Sequence, residues 1–486
     1  MTPRSGENGR HRPGSRSARA AVGLLLPLLV CAAGASGPAQ AQTAATAPNA
    51  PGAPGAPVSG TLTAGAPSTA PLPPSSTART IYEQQKDKLL QVRVLVGGSE
   101  SQASAGSAFV VRADGLLVTN YHVVSQLVHE PDRYRAEFVR TDGRKGRLLL
   151  LAIDVQHDLA LVKVDTTPAA ADWPVVTLAP DASLRQGDKV FSLGNPLDLG
   201  FAISEGTFNG FPERSLYPHL LFTGAMNPGV SGGPAMDDAG RVVGVNVAGY
   251  GRNAELTNFQ VPVRHVRDLL QRSAARIAAG KAASNAELKA DMRQQLMAHQ
   301  QLMLDGLGSA QWPTQALGPY RVPVIPATLA RCWGDVSNSD VKNYRLESSS
   351  CSLESSRYIT PSLHVGSVAT QHEVVTSLKL SAARFAHLRG RSLGNEAMRV
   401  GGQNRERTAT RCQESFVQQG ALPLRVIICA RAYRKLEGLY DISTTVVTLD
   451  SDNHGLESAL HLRGVDHARG LREAQRFVQA IGRSTP

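Results

Sequence analysis

The chain has 486 residues and is 42% hydrophobic, a length for two or three domains and enough apolar content to bury real cores. That excludes a wholly disordered chain and a membrane channel. The formal charge of +11 is scattered, with no long basic run and no accompanying series of aromatics, which argues against a nucleic-acid partner.

The first twenty residues carry five arginines and one glutamate, and the sixteen that follow, "AVGLLLPLLVCAAGAS", are almost wholly apolar. Ala39-Gln40-Ala41 then offers an A-x-A cleavage site, so residues 1–41 read as a secretory signal peptide. An uncleaved anchor is the alternative, although sixteen apolar residues fall short of the roughly twenty that span a bilayer. Lipidation at Cys31 is a further alternative, with Val30 a poor fit to the small residue such signals carry. Loss of the segment removes five Arg and one Glu and lowers the charge from +11 to +7. The expected location is periplasmic or secreted, with membrane attachment only if the segment is retained.

Residues 42–78 are nearly all Ala, Pro, Gly, Ser and Thr, which cannot form a core and read as a disordered linker. From residue 79 to about 280 short apolar runs such as "SAFVVRA", "GLLVTNYHVV", "LALVKV", "KVFSLG" and "RVVGVNVAG" recur between Gly, Pro, Asn and Asp breaks. Strands at that density describe an all-β sandwich or barrel rather than an alternating βα chain, and the length suits one double-barrel domain. A helical period then places Val266, Leu269, Leu270 and Ile277 on one face. Residues 281–317 read as a helical connector, where "SNAE" has the capping-box pattern ahead of Leu288, Met292 and Leu296. Residues 318–486 read as an α+β domain of unassigned role that ends in a helix with Leu471, Phe477, Val478 and Ile481 inward.

All four cysteines beyond the signal, Cys332, Cys351, Cys412 and Cys429, lie in that last stretch. An even count in an exported chain predicts two disulfides, with three connectivities open. Nearness favours Cys332 with Cys351 and Cys412 with Cys429. No CxxC pair occurs, so no metal is expected, and no cofactor motif is present.

Peptide hydrolysis at a serine needs a nucleophilic hydroxyl, an imidazole base, a carboxylate that fixes the imidazole tautomer, and backbone donors for the oxyanion. Three local contexts supply such groups in order: "TNYHVV" around His122, "DLALVKV" beginning at Asp158, and "NPGVSGGPAM" around Ser231. Singly, each has a plainer reading: an exposed histidine, a turn aspartate, a flexible glycine turn.

Together the three resemble the trypsin-like serine peptidases of the HtrA/Deg type, over roughly residues 81–275. In that family "TNxHVV", "DLALLKV" and "GNSGGP" carry the corresponding residues, and "SLGNPLDLGFAISEGTFNG" and "NFQVPV" are further echoes. The resemblance implies a trypsin-like fold with His122 as general base and acid, Asp158 as its orienter and Ser231 as nucleophile. It also implies an oxyanion hole from the Gly229 and Ser231 amides, a polypeptide substrate, and a homotrimer as the assembly to test. The strand with Asn246, Val247 and Ala248 should bind substrate; with Ala225 nearby and no acid in sight, a small or aliphatic P1 side chain is expected.

Two departures from the family stand out. Val230 replaces the Asn before the serine, which raises the alternative of a weak or inactive protease-fold protein acting as a binding module. No PDZ domain is evident after the protease. An esterase is disfavoured, because no G-x-S-x-G elbow joins a strand to a helix.

Overall fold

The computed structural model describes residues 75–165, 173–195, 199–247, 257–308, 311–339, 343–353, 355–396 and 406–484. The expected signal peptide, most of the expected linker, and Ala248 lie outside them. All described residues fall within one compact unit, Pro71–Pro486.

The described chain opens with α1 (Ser76–Gln85), N-capped by Ser75, whose hydroxyl accepts from the Ala78 amide. Strands β1 (Leu89–Val96), β2 (Gln102–Arg112) and β3 (Leu116–Thr119) precede α2 (Tyr121–His129), and β4 (Tyr134–Arg140), β5 (Lys145–Asp154) and β6 (Leu159–Val164) follow it. These strands close a six-stranded barrel in the order β1-β2-β3-β6-β5-β4. A second closed barrel contains β7 (Lys189–Gly194), β8 (Ala202–Phe208), β9 (Leu220–Thr223), β10 (Pro234–Met236), β11 (Val242–Val247) and β12 (Thr257–Pro262), ordered β10-β11-β12-β9-β8-β7.

Strands β3 and β6 of the first barrel read as near-continuous apolar runs because both of their faces are covered. Along β6, Ala160, Val162 and Val164 enter one core while Leu159 and Leu161 enter another, the period of two that a strand imposes. The second of these cores continues into Phe191 and Leu193 of the other barrel and into the helices α3 (Val263–Arg272) and α4 (Ala274–Ala279). One helix was expected there; Ser273, at φ −98° and ψ 7°, leaves the helical region and divides it, yet Val266, Leu269 and Ile277 still face the core.

Helix α5 (Asn285–Asp305) starts at the capping box read from the sequence: the Ser284 hydroxyl accepts from the Glu287 amide, and the Glu287 carboxylate accepts from the Ser284 amide at 2.8 Å. Its Leu288, Met292 and Leu296 pack on the first barrel, and its Met303 and Leu304 join a different core formed with the C-terminal region.

That region is β-rich. After β13 (Thr314–Leu317) and β14 (Tyr320–Pro323) come β15 (Arg331–Ser339), β16 (Tyr344–Leu353), a small hairpin of β17 (Arg357–Thr360) and β18 (Leu363–Val365), β19 (Ser367–Ser377) and α6 (Ala382–Glu396). Then β20 (Arg411–Gln419), β21 (Leu422–Ala432), β22 (Tyr440–Thr448), β23 (His454–Val465), α7 (His467–Gln479) and β24 (Gly482–Arg483) complete the fold. Seven antiparallel strands form one sheet, β15-β16-β19-β23-β22-β21-β20; Phe477 of α7 is buried, as is Ile481, which was expected on that helix but lies just beyond its end.

Cys332 bonds Cys351 and Cys412 bonds Cys429, the pairing that nearness favoured. Each bridge joins directly opposed residues, β15 to β16 and β20 to β21, at the two edges of the sheet. The C-terminal region does not stand apart from the barrels. Ile359, Leu363 and Val365 of the β17–β18 hairpin, with Tyr433, Leu436 and Leu439, share the first barrel's own core.

Candidate active site

His122 occupies the first turn of α2, where amides lack intrahelical partners. Asn120 precedes that helix but makes no capping bond with its side chain. Asp158 takes over the role from a distance: its Oδ1 accepts the His122 amide at 2.8 Å, and its carbonyl accepts the Tyr121 amide at 3.1 Å and the Asn120 side-chain amide at 2.8 Å. Its other oxygen, Oδ2, lies 2.6 Å from His122 Nδ1. To reach all of these partners Asp158 adopts φ 57°, a left-handed conformation that Asp tolerates better than most residues.

A carboxylate at Nδ1 places the imidazole proton there and leaves Nε2 as the basic nitrogen. Burial is the largest influence on the imidazole and pushes its pKa down. The charge and hydrogen bond of Asp158 outweigh it, and His122 ends above the ordinary histidine value.

The Ser231 loop packs against β2. The Ser107 amide donates to the Ser231 carbonyl at 2.7 Å, and the Ser107 hydroxyl donates to the Gly229 carbonyl at 2.8 Å. The same hydroxyl accepts the Asn195 amide at 2.9 Å, and the Ser107 carbonyl accepts Thr119 Oγ1 at 2.8 Å. Ser107 therefore ties three segments together, a role that no local motif announced. Gly229 and Gly232 sit at φ 103° and 84°. A Cβ on Gly232 would fall 2.3 Å from the Ser107 carbonyl, so glycine is required by both conformation and space.

The loop and α2 are close neighbours. A Cβ on Gly106 would meet the Ser231 carbonyl at 2.9 Å on one side and Val123, the residue after His122, at 2.6 Å on the other. Ser231 itself is 3% exposed. Val230 is 7% exposed, and a Cβ added to Gly194 would lie 2.7 Å from its Cα. The apolar side chain thus fills a dry position beneath the loop.

Asn246, expected to face substrate, is fully buried. Its side-chain amide donates to the Leu193 carbonyl at 3.0 Å and the Pro234 carbonyl at 3.2 Å, and its Oδ1 accepts from Gln260 at 3.3 Å. Its backbone accepts the Gly232 amide and donates to the Gly233 carbonyl. Asn246 therefore braces the Ser231 loop with its backbone at Gly232 and Gly233 and with its side chain at Pro234. Val247, the next residue on β11, is partly exposed. Among the described residues no cluster of His, Cys, Asp or Glu is arranged to hold a metal ion.

Residues 106–245 match the family model described as a trypsin-like peptidase domain. The two-barrel unit that carries His122, Asp158 and Ser231 is thus a trypsin-like peptidase domain. Its relatives are of the HtrA and DegP type. A "Probable periplasmic serine endoprotease DegP-like" of Hahella chejuensis is 32% identical over 180 residues, covering 36% of this chain and 36% of that protein. Mitochondrial serine protease HTRA2 of Bos taurus is 28% identical over 221 residues, 43% of this chain and 45% of that protein. Serine protease HTRA1B of Danio rerio is 30% identical over 252 residues, half of each. The matched stretch spans half or less of the length of these relatives.

Proposed function

We propose that the protein is an exported serine endopeptidase that cleaves polypeptides through His122, Asp158 and Ser231 by way of an acyl-enzyme. The observation that carries this reading is the 2.6 Å contact between His122 Nδ1 and the Asp158 carboxylate, inside a domain related to serine proteases. Ser231 Oγ attacks the scissile carbonyl as its proton passes to His122 Nε2. The imidazolium, held by Asp158, then returns that proton to the departing amine. Water repeats the sequence on the ester and frees the second product. The amides of Gly229 and Ser231 supply the oxyanion donors, which are backbone groups and so do not depend on the identity of residue 230.

Substrate backbone adds along the end of β11 at Val247, and Asn246 supports that strand from within the barrel. Two disulfides support an oxidising compartment, the periplasm or the exterior, reached by means of the N-terminal segment. The test is fluorophosphonate labelling of the protein beside its Ser231→Ala variant, with casein hydrolysis in parallel. Labelling that depends on Ser231 is the expected result. An unlabelled, folded protein would leave the binding-module reading in its place.

A further inference from the structure

The β17–β18 hairpin lies outside the matched residues 106–245 and comes from the C-terminal region, yet it grips both segments that bear the His122–Asp158 pair. On the α2 side, the Ile359 carbonyl accepts the Tyr121 hydroxyl at 3.0 Å, and His129 Nε2 lies 3.0 Å from the same oxygen. On the Asp158 side, Arg357 donates to the Gln156 carbonyl at 2.5 Å, and its guanidinium lies 4.7 Å from the centre of the Tyr217 ring. Ile359, Leu363 and Val365 are buried in the first barrel's core, so the hairpin is fixed by packing as well as by hydrogen bonds.

Between these grips stands Tyr358. Its ring meets the His122 imidazole edge to face, with centroids 5.9 Å apart and planes at 67°. The ring is itself held by Tyr121 at 6.2 Å and 74° and by His364 at 5.4 Å and 89°. The hydroxyl is 3.5 Å from Ser125 Oγ, too long for a bond of consequence. What reaches the histidine is the aromatic ring. The bond to Asp158 fixes the imidazole at one nitrogen only, and a ring packed against another part of it narrows the motion that this single bond leaves.

We propose that Tyr358 is a positioning residue for His122: its ring holds the imidazole in the orientation that the bond to Asp158 sets, which makes the C-terminal region an integral part of the active site. This rests on the peptidase reading above. A positioning role of this kind acts on the chemical step and leaves ground-state binding of a small probe nearly untouched.

The experiment is fluorophosphonate inactivation of the full chain, resolved into a maximal rate and a half-saturating probe concentration, with thermal melting recorded for each variant. Tyr358→Ala is expected to lower the maximal rate roughly tenfold and to change the half-saturating concentration less than about twofold. Tyr358→Phe, which keeps the ring, is expected to restore the rate to within about twofold of the parent. Tyr358→Leu, which keeps apolar bulk, covers the case in which the alanine variant does not fold, and is expected to be as slow as alanine should be. An unchanged rate in the leucine or alanine variant overturns the proposal, as does a phenylalanine variant as slow as alanine or leucine. A parent protein inert to the probe would instead overturn the peptidase reading, and the proposal with it.

Discussion

The Ser107 amide donates to the Ser231 carbonyl at 2.7 Å, and the hydroxyl of the same residue reaches the Gly229 carbonyl, so a residue of the first barrel fixes the serine loop of the second at two points. Ser107→Ala keeps the amide contact but leaves the Gly229 carbonyl and the Asn195 amide without the hydroxyl between them. Stability should fall by about 2 kcal/mol, and the fluorophosphonate rate roughly tenfold as the loop loosens. A urea titration beside the labelling assay checks both, and a variant that labels at the parent rate would show that the loop holds its shape without the hydroxyl.

Val230→Asn restores the residue type of the related proteases but puts an amide into the dry contact beside Gly194. Burying that amide without a prepared partner should cost about 1–3 kcal/mol. The expected outcome is a lower melting temperature with no gain in labelling rate. A faster enzyme would mean that the valine limits the loop's function.

Asp158→Asn removes the charge that lifts the His122 pKa and leaves burial, which lowers it. On the proposed mechanism a protonated imidazole cannot take the Ser231 proton, so activity in the parent should rise with pH through a value above the ordinary histidine one. In the variant that limb should move to lower pH, with turnover down by about three to four orders of magnitude as the imidazole loses its tautomer control. A pH–rate profile of casein hydrolysis by both proteins reads the shift directly. For stability the sign is opposite: the His122 contribution is present in full below the unfolded histidine pKa and is lost as pH rises through the raised folded value.

Acid should weaken the whole assembly. His219 and His299 are each held down to about 4 and His265 to about 3, first by burial and next by Arg357 or His157. Below the ordinary histidine value the unfolded chain takes up protons that the folded one refuses, so stability is lost as pH falls from about 6.5 to 4. Urea midpoints measured across that window should drop steadily. A flat profile would mean that these histidines are already charged in the folded protein.

A chain ending at residue 317 would strip the first barrel of Ile359, Leu363 and Val365 and leave Tyr121, Leu288 and Leu296 open to water. We expect such a truncation to aggregate, as judged by light scattering. A soluble, cooperatively melting product would show that the barrels are self-sufficient.

What the sequence makes legible is local. "TNYHVV", "DLALVKV" and "GVSGGP" each combine a special side chain with the backbone chemistry it needs, and the Ser284 capping box and the cysteine pairs lie within one hairpin or one turn. Contacts fixed only by tertiary packing are hidden. Tyr121 and Ile359 are 238 positions apart, and nothing in "RYIT" marks it as a neighbour of a histidine. Asn246 shows a different limit: β11 is buried along nearly its whole length, so alternation does not say which of its side chains look outward.

The two disulfides sit where the C-terminal sheet has least else to hold it. In β15 residues 331–337, and in β20 nearly every residue, face solvent; Trp333 is 71% exposed and Phe416 is 70% exposed. Such margins are the places where strands detach and recruit neighbouring chains. Cross-linked to β16 and β21, they cannot peel away or trade partners. With the outer edges of both strands facing water in either redox state, what reduction would add is the freedom of each strand to leave the sheet.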